Sequence, residues 1–236
     1  VPRMKEEGSG AADAIDEQGT VIIAGIGRFG QIVNRILVAG GFKTVVLDHE
    51  ADIIDLLRKV GVKTYYGDAS RPDLLHAAGM ENATAFVIAI DDRDRAVQMA
   101  EHVRRHYPDV KILARAYDQN HLYLLKQAGV DVAVRELFDS SLRLGSEVMK
   151  ALGMHPFKVH KMSQAFRDHD FEGMRQRYEL WDENPDIAGN KAFLARAREH
   201  GERLQEMMET DRIQFHDRSD RGWTPPPKDY ADKFEE

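Results

Sequence analysis

Short apolar runs alternate with amphipathic stretches from Thr20 to about residue 135, and this alternation sets the expected architecture. Strands are predicted at 20–24, 44–48, 63–66, 85–90 and 111–115, with a short sixth near 131–134. Runs such as Ala85-Phe86-Val87-Ile88-Ala89-Ile90 are apolar without a break, as strands buried on both faces require. Helices are predicted between them at 29–39, 51–60, 71–78, 92–106 and 119–128. Strand–helix alternation with short connections implies a parallel sheet covered on both sides. After Phe138 the strand signal ends. Residues 139–152 fit one amphipathic helix, with Leu142, Val148, Met149 and Leu152 on its apolar side, before Gly153 and Pro156 interrupt. Val159, Met162 and Phe166 continue a longer helical pattern, followed by Phe171, Met174, Tyr178 and Trp181 at three-four-three spacing. Asn184-Pro185 breaks it. Leu194, Ala197, Gly201, Leu204 and Met208 form a further seam, as of a coiled coil or helical dimer. Such stripes are read as core or partner interface.

The fold class is therefore α/β: a Rossmann-type doubly wound parallel sheet followed by an all-helical C-terminal extension. The expected divisions are a linker at 1–18, a nucleotide-binding domain at 19–137, a helical extension at 138–212 and a tail at 213–236.

The most specific local signal is Val21-Ile22-Ile23-Ala24-Gly25-Ile26-Gly27-Arg28-Phe29-Gly30, with Asp48 eighteen residues further on. A strand runs into Gly25-x-Gly27-x-x-Gly30, a helix follows, and a second strand ends in the acid. Gly25 permits a tight turn, Gly27 lets a diphosphate approach the backbone, and Gly30 lets helix and strand pack closely. The helix N-terminus offers free N–H groups to phosphate, and Asp48 can accept ribose hydroxyls while disfavouring a 2′-phosphate. Other polar residues fall at strand ends: Asp48-His49, Gly67-Asp68-Ala69, Asp91-Asp92 and Arg115. They are expected to line one groove with the glycine loop, although Asp68, Ser70 and Asp91 equally fit helix N-caps.

Composition narrows the chemistry. No cysteine is present, which removes disulfides, thiolate catalysis and thiolate metal sites. A net charge of −7 with both signs interspersed argues against nucleic acid. No apolar run approaches the roughly 20 residues of a membrane helix. The polar N-terminus lacks a signal-peptide pattern, and Val1 as first residue is expected of an excerpt from a longer protein. His102 and His106 stand four apart without the acid of a zinc-protease motif, so no metal site is expected. No nucleophile elbow or P-loop occurs, and no catalytic residue is assigned.

The strings Gly25-Ile26-Gly27-Arg28-Phe29-Gly30-Gln31, Val45-Val46-Leu47-Asp48-His49 and Tyr66-Gly67-Asp68-Ala69-Ser70-Arg71 resemble the KTN (RCK-type) domains that gate bacterial potassium transporters. Ala89-Ile90-Asp91-Asp92, Ile112-Leu113-Ala114-Arg115-Ala116, Gln127-Ala128-Gly129-Val130 and Arg135-Glu136-x-Phe138 are similar to the cytoplasmic domain of KefC-type glutathione-gated potassium-efflux systems. The similarity covers about 20–210. It implies AMP or NAD(H) in the Rossmann groove, held by Gly25, Gly27, Arg28, Phe29, Gly30, Asp48, His49, Asp68, Ala69, Ile90, Asp91 and Arg115. It implies regulatory glutathione at Arg35, Arg135, Asp139 and Asp170, since paired arginine N–H donors suit its carboxylates. It further implies a homodimer attached to a membrane antiporter domain of the same chain, at the cytoplasmic face of the bacterial inner membrane. An ancillary quinone-oxidoreductase-like subunit accompanies some relatives. Asp170 replaces an expected asparagine and Val60 an aromatic, which bears on selectivity between glutathione and its conjugates. The alternatives are a Trk/Ktr uptake subunit gated by NAD(H) or ATP, and an NAD-dependent oxidoreductase fragment.

Overall fold

A computed structural model of the chain describes residues 21–59, 64–183 and 185–214. The linker at 1–18, Val60 and nearly all of the tail lie outside these residues. The described chain divides into two compact units at the Glu136–Leu137 bond.

The first unit runs β1 (Val21–Ala24), α1 (Arg28–Ala39), β2 (Thr44–Asp48), α2 (Ala51–Lys59), β3 (Tyr65–Tyr66), α3 (Pro72–Ala77), β4 (Ala85–Ile88), α4 (Arg93–His106), β5 (Lys111–Ala116), α5 (Gln119–Gln127) and β6 (Val132–Arg135). All strand pairs are parallel, in the order β3-β2-β1-β4-β5-β6. The order reverses beside β1, so a crevice opens over the carboxyl ends of β1 and β4. The central strands are sealed: Ile22, Ile23, Val45, Val46, Leu47, Phe86, Ile88 and Ile112 are all fully buried. The expectation of two-sided burial fails at β6. Val132 and Val134 remain half exposed, because an edge strand has a neighbour on one flank only. β4 ends at Ile88, two residues early, which frees Ala89 and Ile90 to turn beneath the glycine loop.

The second unit holds α6 (Phe138–Ala151), α7 (Pro156–Glu183) and α8 (Lys191–Gln214). Helices α6 and α7 are joined by the Ser146 and Ser163 hydroxyls at 2.7 Å and by Phe138, stacked on Phe166 and tilted against Phe171. Helices α7 and α8 pack antiparallel. Asn190 donates to Leu180 O at 2.8 Å near the turn, and the His169 and His200 rings stack at 3.6 Å further along. The buried positions match the predicted stripes only in part. On α7 they are Val159, Gly173, Arg177 and Trp181, so the pattern holds at Val159 and Trp181, whereas Phe171 is 44% exposed. On α8, Phe193 is buried and Leu194 is 45% exposed. The reason is a contact between the helices: His200 needs the space that only a glycine at 173 leaves, and this fixes the rotation of α8. The seam on α8 is thus covered at least in part by α7 of the same chain.

Candidate functional site: a nucleotide groove on the first unit

The glycine loop is shaped by two contacts. Gly25 has φ +96°, and a Cβ there would meet Ala89 C and Ile90 N at 2.9 Å. At Gly30 a methyl group would overlap Gly25 O. Both positions therefore hold the loop against β4. Gly27 differs: a Cβ would find nothing within 4 Å, so this backbone borders open space. Gly27 is also the N-cap of α1 and supplies no side-chain acceptor. The first N–H groups of α1 thus stand without an internal partner, as an anion site requires.

A cavity of about 360 Å³ opens there. It is lined by Gly25, Gly27 and Arg28 from the loop and the start of α1, Leu47–Glu50 at the end of β2, Gly67–Ala69 after β3, Ala89–Asp92 after β4, and Arg95 and Met99 of α4. Asp48 is 8% exposed. Its Oδ2 accepts from Ile26 N–H at 2.7 Å and its Oδ1 from Glu50 N–H at 2.9 Å. One carboxylate thus ties the glycine loop to the end of β2. Asp68 accepts from the Ser70 backbone and hydroxyl and from Arg95 Nη2 at 2.6 Å. Burial alone would raise its pKa, but the Ser70 bonds and the Arg95 charge hold it below the usual carboxylate range. Asp92, not Asp91, caps α4, accepting from Arg95 N–H at 3.0 Å. The segment before α3 ends on Arg71 with no side-chain cap.

Of the residues expected at the nucleotide, Gly25, Gly27, Arg28, Asp48, His49, Asp68, Ala69, Ile90 and Asp91 line this cavity. Gly30 lies beneath the loop. Phe29 and Arg115 stand at one end of the groove without lining the cavity, with the guanidinium 5.9 Å from the ring centroid. Arg115 donates to Asp91 and to Glu136. Burial alone would lower its pKa, but those two bonds raise it. Two groove residues were not singled out from the sequence. Arg95 is signalled only by its place one turn into the helix after β4. Glu136 was noted only as part of a motif.

The residues expected at glutathione are divided between the two units. Arg35 is exposed on α1 and Arg135 ends β6 at the sheet edge, both in the first unit. Asp139 and Asp170 belong to the second, where Asp139 pairs with Arg167 at 2.6 Å. Among the described residues no group of three or more metal-ligating side chains is found, and His106 Nδ1 is bonded to His102 O at 2.9 Å. No described helix is long and apolar enough to cross a membrane.

A parallel sheet in this order, with a glycine-loop groove at its switch point, defines a dinucleotide-type fold, and the TrkA-N domain family matches residues 21–136. The potassium efflux system KefB C-terminal domain family matches residues 140–222. The Kef CTD of Shewanella denitrificans in AMP-bound form is 42% identical with a TM-score of 0.63, covering 68% of this chain and 98% of that one. The chain belongs to the Kef family of potassium-efflux systems. The glutathione-regulated potassium-efflux system protein KefC of Escherichia coli O157:H7 (strain EC4115 / EHEC) is 47% identical over 157 residues, 66% of this chain and 25% of the relative. The same-named protein of Salmonella arizonae is 46% identical over 169 residues, 70% of this chain and 27% of the relative. This chain thus spans about a quarter of the curated relatives it matches.

Proposed function

We propose that this chain is the ligand-binding regulatory part of a bacterial K+/H+ antiporter for potassium efflux. It holds an adenine nucleotide, AMP or NAD(H), in the groove of the first unit. Gly27 and the N-terminus of α1 receive phosphate, Arg28 supplies a cation, and Asp48 accepts the ribose hydroxyls. His49, Asp68, Ala69, Ile90 and Asp91 enclose the nucleoside. Glutathione holds transport off by binding where two copies of the chain meet, through Arg35 and Arg135 with Asp139 and Asp170 nearby. Glutathione S-conjugates displace it and release transport. The domain works as a binding module, not an enzyme, at the cytoplasmic face of the inner membrane. It is continuous with a membrane antiporter domain, and an ancillary oxidoreductase-like subunit is an additional partner to be tested.

The observation that carries this reading is the pairing of two features in one chain. An open, uncapped helix N-terminus at Gly27 faces a buried ribose acceptor at Asp48, and a helical unit of the KefB C-terminal family follows. The helical unit favours the efflux reading over an uptake subunit. A ligand can act as a switch only through different affinities for two arrangements, and a bulky sulfur substituent is the difference available between glutathione and its conjugates.

Titration calorimetry with glutathione and with a bulky S-conjugate, AMP present, tests it. Competition of both for one site per subunit or per dimer interface, in the micromolar-to-millimolar range, is the expected result. Replacing both arginines (Arg35→Ala with Arg135→Ala) is expected to abolish glutathione binding. Unchanged glutathione affinity in that variant refutes the site, and AMP binding without either thiol ligand refutes the glutathione reading.

A further inference from the structure

The α7–α8 hairpin is anchored at its turn and held more lightly away from it. At the turn Asn190 accepts from Phe193 N–H at 2.9 Å and donates to Leu180 O at 2.8 Å, while Trp181 and Phe193 are buried. Further along, Gly173 of α7 receives the His200 ring, which stacks on His169 with centroids 3.6 Å apart. Beyond His200 no described side chain of α8 is buried. The stacked pair therefore sits at the outer limit of the buried part of the hairpin. The N-terminal half of α7 is held separately, by the Ser163–Ser146 bond and by Phe166 on Phe138 of α6, and neither contact titrates. Both imidazoles are half-exposed, yet His169 Nδ1 and His200 Nε2 are buried atoms with no hydrogen-bond partner among the described residues. A neutral ring tolerates this. In an imidazolium both nitrogens carry hydrogen, so each orphan becomes a buried, charged donor without an acceptor.

We propose that the His169–His200 stack is a proton-operated latch: protonation of both rings releases the outer part of α8 from α7, while the turn at Asn190 stays closed and the first unit stays folded. The charged groups around the pair are Asp170, Glu172 and Arg177 on α7 and Arg203 on α8. Glu172 pairs with Arg175 at 2.9 Å and Arg203 with Glu199 at 2.6 Å. Arg177 is 7% exposed. One carboxylate, Asp170, thus faces two imidazolium charges and a buried guanidinium, so protonation of both rings loads the contact with like charge. Opening removes that load by giving the rings to water. Desolvation holds both rings below the ordinary histidine value, which places the release on the acid side of neutrality. The latch is independent of glutathione and nucleotide binding. Where the antiporter reading holds, the proton exchanged for potassium is also an effector of the chain that regulates the exchange.

Amide hydrogen exchange at about pH 7.5 and about pH 5.5, expressed as protection factors, reads the latch segment by segment. Each proton taken up on opening raises the opening constant by up to about tenfold per pH unit. The α8 segment from Arg196 to Gln205 is therefore expected to lose at least about tenfold in protection at the lower pH, while α6 and the central strands lose less than about threefold. His169→Gln with His200→Gln removes both titrating groups and is expected to keep α8 protection within about threefold over the same range. Unchanged α8 protection in the native chain overturns the proposal. So does an equal loss in every helix, which is global acid unfolding, and so does an acid loss in the double variant as large as in the native chain. Should that variant leave α8 unprotected at both pH values, the imidazole Cε1 protons of the native chain decide by nuclear magnetic resonance. Both rings are expected to titrate in step with the loss of α8 protection, and titration that leaves α8 protected overturns the latch.

Discussion

Replacing Asp48 separates the structural and ligand roles of one side chain. In Asp48→Ala two backbone donors lose a charged acceptor: Ile26 N–H, on a residue 1% exposed, and Glu50 N–H. Bonds to a charged group contribute about 1.5–3 kcal/mol each, and a buried donor left bare adds its own desolvation penalty. Glu50 lies at the surface and can turn to water, so the Ile26 bond dominates. The expected loss is roughly 2–4 kcal/mol. At roughly 4 °C per kcal/mol for a unit of this size, the first transition falls by about 8–16 °C. Scanning calorimetry reads this directly, and repeating it with AMP reads the second role. A ligand at a hundred times its Kd stabilises by about 2.7 kcal/mol, so AMP is expected to raise the native Tm by about 11 °C. That shift should vanish in Asp48→Ala at the same AMP concentration. An unaltered melting temperature without ligand refutes the tie between loop and strand. An undiminished AMP shift refutes the ribose role, whatever happens to stability.

Two further outcomes concern the helical unit. Asn190 is 6% exposed, accepts from Phe193 N–H at 2.9 Å and donates to Leu180 O, so Asn190→Ala removes both the cap of α8 and a strut to α7. A loss of about 2 kcal/mol is expected in urea unfolding followed by tryptophan emission, Trp181 being fully buried, and a change under about 0.5 kcal/mol refutes the strut. Desolvation lowers the pKa of both His169 and His200. The Arg177 charge lowers both further, as do the stacked His169 ring for His200 and Arg203 for His169, while Asp170 raises both. The unfolded chain then binds protons that the folded pair refuses. Stability of this unit is therefore full above about pH 7 and falls as pH drops through the ordinary histidine value of 6.5. His169→Gln with His200→Gln should flatten that slope, and an unchanged slope assigns it to other groups.

Much of the first unit was legible because its information is local. Apolar runs of four to six residues, glycines at fixed offsets and an acid at the end of the next strand each state a backbone requirement within a few positions. Gly25, Gly27, Gly30 and Asp48 stand where that spacing put them, and the parallel, doubly wound sheet followed from strand–helix alternation. The helical unit was legible as helices but not as faces. A three-four spacing fits Leu194 as well as Phe193, and the choice was made by His200 lying over Gly173, a contact between residues 27 apart. The same holds for the charged groups of the groove. Nothing along the chain says that Arg95 pairs with Asp68, or that Arg115 spans Asp91 and Glu136, because each pair is separated by 21 to 27 residues. Period and spacing determined which backbone this sequence builds. Which ionised side chains meet was decided only when the strand ends converged.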